Sequence, residues 1–188
     1  ESMIFGMKND NFSSGMVKYV GHEIRAVIMN KLEMDVRDTV LLANAESIAV
    51  EASMVAYEGV VIAAERDAGS LRTMEENASK FGTHNIEIIP EITVEALEKL
   101  PTPRLAFIVA QESTIENDIV TLLKVNPKIK FIIYTLELDI LADIKYLMKK
   151  HGVDVTEVMQ IAVSKVDKNG VFVAQPAPWM ITCEVKEK

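Results

Sequence analysis

Short apolar runs alternate with amphipathic stretches along most of this chain. Residues 40–43 are an apolar run, Val-Leu-Leu-Ala, and Asn44-Ala45-Glu46-Ser47 turns it into an amphipathic stretch over 48–57 that stops at Gly59. Before it, residues 22–32 carry Ile24, Val27, Ile28 and Leu32 at helical spacing, with polar Glu23, Arg25 and Lys31 expected on the other side. Residues 60–64 are apolar and bounded by a turn and a charged pair, the pattern of a strand buried on both faces. Asp67 stands where an N-cap belongs, ahead of a helix over 68–81 whose inward stripe is Leu71, Met74, Ala78 and Phe81 and whose stop is Gly82. Strands over 86–89, 105–109 and 130–135 follow, separated by helices over 93–100 and 114–123, with a further helix over 138–150.

The pattern then changes. Residues 153–163 and 179–185 read as strands joined by Asp167-Lys168-Asn169-Gly170, a hairpin signal, and a proline-containing segment. Five strand–helix units followed by an antiparallel pair describe an α/β fold. It is a seven-stranded, mostly parallel, Rossmann-like sheet with helices on both faces and an antiparallel C-terminal hairpin. That order characterises class I methyltransferases. Residues 1–20 read as a polar N-terminal segment, with 16–20 expected over the pocket, and 21–188 as one methyltransferase-like domain.

Composition narrows the partners. A net charge of −8 and a pI near 5.0 disfavour nucleic-acid backbones and anionic membranes. No apolar run approaches the roughly 18 residues of a membrane span, and no basic-then-apolar leader opens the chain. The single cysteine, Cys183, lies in an apolar strand and is expected in the core, and a reducing, cytoplasmic location is expected. The three histidines are scattered near element ends, so no metal site is expected, and no residue stands out as catalytic.

The candidate site is the turn after the first strand. In nucleotide-binding α/β folds this turn is glycine-rich, because glycine lets the backbone approach the cofactor and take positive φ. Here no glycine occurs between Gly21 and Gly59. Leu42, Asn44 and Glu46 are expected to add side chains to that surface. Asn44 is the mildest change, since asparagine tolerates the left-handed region. Glu46 falls in the first helical turn, where exposed N–H groups favour a carboxylate, so it either occupies an anion site with the protein's own charge or simply caps the helix. Glu65 ends the second strand 19 residues after Glu46, near the offset at which an acidic group reaches ribose hydroxyls; a solvated strand end is the alternative.

Further stretches carry a family resemblance. Gly15 to Val27, Val50-Glu51-Ala52, Ala64-Glu65-Arg66, Glu76-Asn77 with Phe81-Gly82, Glu95-Ala96-Leu97 and Pro178-Trp179-Met180-Ile181 resemble the decarboxylating precorrin methyltransferases of cobalamin biosynthesis, the precorrin-6Y type that methylates carbon 15. The resemblance runs from about Phe12 to the C-terminus. It implies the fold above, S-adenosylmethionine as cofactor, a precorrin tetrapyrrole as substrate and a homotetramer. It also places the cofactor loop, G-x-G-x-G in the family, on Leu42-Ala43-Asn44-Ala45-Glu46. The N-terminal threonine that approaches the cofactor matches Val20, the Gly-Asp-Ala bordering the adenine matches Glu91-Ile92-Thr93, and Glu65 alone keeps its family identity. Three readings stay open: a methyltransferase that tolerates an unusual loop, a non-catalytic scaffold or partner subunit, and a binding protein for another ligand such as a tetrapyrrole.

Overall fold

Nine strands and six helices make up the computed structural model, which describes residues 21–187. In chain order they are α1 (His22–Leu32), β1 (Thr39–Ala43), α2 (Glu46–Val55), β2 (Val60–Ala64), α3 (Ala68–Phe81), β3 (Ile86–Ile89), α4 (Val94–Leu97), β4 (Leu105–Val109), α5 (Ile115–Val125), β5 (Lys130–Thr135), α6 (Leu138–Lys150), β6 (Val153–Gln160), β7 (Ser164–Val166), β8 (Phe172–Ala174) and β9 (Trp179–Val185). Seven strands form one sheet in the order β3-β2-β1-β4-β5-β9-β6. β3, β2, β1, β4 and β5 pair in parallel, and β9 runs antiparallel to both β5 and β6. The Asp167–Gly170 turn closes a separate ribbon, β7 with β8, inserted between the two long C-terminal strands. The expectations for residues 1–20, including Val20, lie outside the described residues.

The two-residue period of the strands sorts the core into two layers. Val40, Leu42, Val61, Ala63, Phe107 and Tyr134 face α1, α2 and α3. Leu41, Ala43, Ile62, Ile108, Phe131 and Ile133 face α4, α5 and α6. Nearly every central-strand residue is therefore apolar, as burial on both faces requires.

Local signals held where they had a mechanism. The Asp67 carboxylate accepts from the Ser70 N–H at 2.7 Å, and Gly82 closes α3 with φ +66. Thr93 caps α4 by accepting from the Ala96 N–H at 3.2 Å, yet that helix lasts a single turn rather than reaching residue 100. Pro101 disfavours helical backbone at the residue before it. Gly59 does more than stop α2. A Cβ there would sit 2.0 Å from the Asp38 carbonyl oxygen, so the β2 entry requires close backbone approach.

The outward face of α1 also departs from expectation. Arg25 was expected on the solvent side of α1, but it is 1% exposed and its Nε donates to Glu51 Oε2 at 2.8 Å. α2 packs against α1 and covers that side, so the helix has two buried flanks and the ion pair bridges them.

Candidate functional site

β1, β2 and β4 are parallel neighbours, so their carboxyl ends share one edge of the sheet. Asn44 leaves β1 with φ +57, the left-handed conformation that a glycine would supply in the related loop. Its N–H donates to Ala64 O at 2.9 Å, and its Nδ2 donates to Val109 O at 3.2 Å. One residue thus stitches β1 to the ends of both flanking strands, and its side chain crosses the crevice toward β4. Ala45 is the N-cap of α2, and Glu46 is its first residue, buried at 3% exposure.

Glu65 follows β2 and is itself buried, with its N–H donating to Ile89 O at 3.1 Å. Burial pushes its carboxyl from 4.5 up to about 7; the Asp67 backbone N–H opposes the rise, and the nearby Glu46 carboxyl adds to it. The loop therefore brings two acidic groups together in a water-poor place. Arg66 turns away from this pair toward α5, where its Nη2 meets Asp118 Oδ1 at 2.8 Å. Asp118 is fully buried, which raises its carboxyl, while Arg66 pulls it back.

The remaining sequence candidates have other occupations. Leu42 was expected to add its side chain to the cofactor surface. It lies inside β1, 1% exposed, with its side chain in the layer beneath α1 and α2, because the strand period points it there. Ala43 and Ala45 are likewise buried in the two layers. Ile92 packs under α4, and the Thr93 hydroxyl is engaged in its cap. Cys183 is buried, and its thiol is pushed up to about 12 by burial, which suits a core residue. Among the described residues no group of three or more His, Cys, Asp or Glu could hold a metal ion, and no helix is long and apolar enough to cross a membrane.

Three features were not foreseen. The Asn44 side-chain bond to β4 depends on strand neighbours that are 65 residues apart. The Arg66–Asp118 pair had a faint signal, since Asp118 falls among the inward Ile115, Ile119 and Leu122 of α5, where a carboxylate needs a partner. Tyr134, near the end of β5, carries a buried hydroxyl with no hydrogen-bond partner among the described residues, its ring 6.1 Å from that of Phe107.

S-adenosylmethionine does not fit the amino-acid end of this crevice. Asn44 spans toward β4 where a glycine would leave room, and the buried Glu46 stands at the start of α2, where the resemblance puts a cofactor carboxylate. Glu65 alone suits it, because an acidic group at this strand end can accept from two ribose hydroxyls.

Known proteins bear on this geometry. No curated protein matches the chain in sequence. Its structure is similar to precorrin-6y C5,15-methyltransferase from Geobacter metallireducens, with a TM-score of 0.85 and 24% identity over 97% of both chains. It is similar to the C-terminal domain of precorrin-6Y C5,15-methyltransferase from Rhodobacter capsulatus, with a TM-score of 0.78 and 17% identity over 98% of this chain and 100% of that one. Precorrin 8W decarboxylase from Methanobacterium thermoautotrophicum gives a TM-score of 0.75 and 19% identity over 97% of this chain and 100% of that one. At such identities these likenesses establish the fold. The profile of the precorrin methyltransferase domain matches residues 15–185, nearly the whole chain, and this protein belongs to that family.

Proposed function

We propose that this chain is a cobalamin-pathway member of the precorrin methyltransferase family that has lost productive S-adenosylmethionine binding and serves as a non-catalytic scaffold or tetrapyrrole-binding subunit. The observation that carries this reading is the loop itself, with Asn44 fastened across the crevice and Glu46 buried beside Glu65. A ligand carboxylate about 4 Å from an ionised Glu46 would meet a repulsion of roughly 4 kcal/mol at an effective dielectric of about 20, an upper figure before solvent screening. The ligand's amine and sulfonium offset part of it. Charge and ancestry support a cytoplasmic protein whose partners are a tetrapyrrole and copies of itself, not nucleic acid or membrane.

A second reading, an active S-adenosylmethionine-dependent precorrin-6Y methyltransferase that decarboxylates at carbon 15, is favoured by one observation: Glu65 stands buried at the end of β2, where a ribose would be held. Calorimetry separates the two. The non-catalytic reading expects millimolar or weaker binding of S-adenosylmethionine. Glu46→Gln together with Asn44→Gly should strengthen it. Micromolar binding by the unmodified protein, lost roughly 10- to 150-fold in Glu65→Ala, gives the lead to the enzyme.

A further inference from the structure

α5 and α6 lie side by side on the sheet face opposite α1, and a groove of about 410 Å³ runs between them. Its floor is apolar: Ile115 on α5, and Ile140, Ile144 and Leu147 on α6. Its rim is acidic: Glu112 ahead of α5, and Asp139 and Asp143 on α6. All three rim carboxylates are exposed, and among the described residues none of them is in an ion pair. Glu116 is the exception along the groove, held by Lys150 at 2.7 Å and by His151 at 2.9 Å. Asp139 and Asp143 are four residues apart on one helix, so they repel each other across one turn of the same face. Two aromatic or aliphatic side chains stand out of this helix with no cover, Tyr146 at 76% and Leu138 at 77% exposure.

A large exposed tyrosine beside an apolar floor, with an exposed leucine at the start of the same helix, marks a contact surface. The charge decides its occupant. An apolar trough edged by repelling, unneutralised carboxylates complements a helix with leucine-like residues on one face and lysine or arginine on its shoulders. With 13 residues in α6 and 11 in α5, the trough is roughly 16–20 Å long, the span of about three helical turns. We propose that the α5–α6 groove docks a basic amphipathic helix of a partner protein. The cleft at the strand ends uses none of these side chains, so the inference stands apart from whether S-adenosylmethionine binds.

The test is a titration of the full chain with a Leu/Lys peptide of about 12 residues patterned as an amphipathic helix, followed by amide chemical shifts. The expected result is micromolar binding, with the shifted amides concentrated in α5 and α6. Asp139→Asn with Asp143→Asn should weaken it about tenfold. Tyr146→Ala should weaken it by a similar factor. Glu75→Gln with Glu76→Gln, on exposed positions of α3 across the sheet, should leave it unchanged. The inference is overturned by no binding, by shifts that map elsewhere, or by full affinity in the Asp139/Asp143 variant. Equal binding of a Leu/Glu peptide also overturns it. So does the appearance of the same shifts on raising protein concentration alone, which would make the occupant a second copy.

Discussion

Two side chains set the character of the loop. Glu65 has a raised pKa in the folded state, so between about pH 4.5 and 7 the native protein holds a proton that the unfolded chain has released. Stability therefore falls as pH rises through that window and levels off above it. Glu65→Gln removes the titration. It is expected to match the parent near pH 4.5 and to exceed it above pH 8 by up to about 3 kcal/mol, checked by urea denaturation at several pH values. Asn44 holds φ +57 and a bond to Val109 O. Asn44→Ala should lose about 1–3 kcal/mol from left-handed strain and the missing bond, and Asn44→Gly roughly 1 kcal/mol, since glycine accepts that φ. The order of the two variants in one denaturation series checks that the backbone conformation, and not only the bond, is being stabilised. Leu42 behaves differently. Its side chain is core, so a glycine there opens a cavity, and a Leu→Ala change alone costs about 2–5 kcal/mol at such sites.

At the level of elements, the contact between α1 and α2 turns on the buried Arg25–Glu51 pair. Burial disfavours the charged guanidinium, and Glu51 offsets part of that by Coulomb attraction and a hydrogen bond. Removing one partner takes away the attraction and the hydrogen bond that offset burial of the other. Arg25→Met is expected to destabilise the protein by about 3–5 kcal/mol, and Arg25→Met with Glu51→Leu to regain most of that loss, as measured by chemical denaturation of the two single variants and the double. Arg25 and Glu51 both fall in stretches that carry the family resemblance, which fits a role in the fold rather than in chemistry.

For the whole molecule, the ribbon of β7 and β8 is the part left unfinished. Val166, Val171, Phe172 and Val173 are all more than half exposed, Phe172 at 77%, and a two-stranded ribbon alone is marginal in water. Copies of the chain covering one another's ribbons would bury them, in line with the tetramer implied by the family resemblance. Phe172→Ser should weaken each such contact by about 1.5–3 kcal/mol and yield a smaller species in light scattering at micromolar concentration, with unchanged circular dichroism. A monomeric parent protein at that concentration would remove the assembly.

What the sequence determined by itself was whatever local physics dictates. Buried parallel strands must be apolar, so β2, β4 and β5 were bounded to the residue, as was the edge strand β3, by its isoleucines and Pro90, and as were α1, α3 and α6, from periodicity and end signals. The loop's missing glycines and the place of Glu65 at a strand end were equally legible. Tertiary structure decided the rest, because it depends on which distant segments become neighbours. Strand period turned Leu42 into the core, the packing of α2 buried Arg25, and pairing of β1 with β4 gave Asn44 its acceptor. Two carboxyls 19 positions apart in sequence share one desolvated corner only because α2 starts where β2 ends, and burial there, with Glu46 adding to it, moves Glu65 toward neutrality.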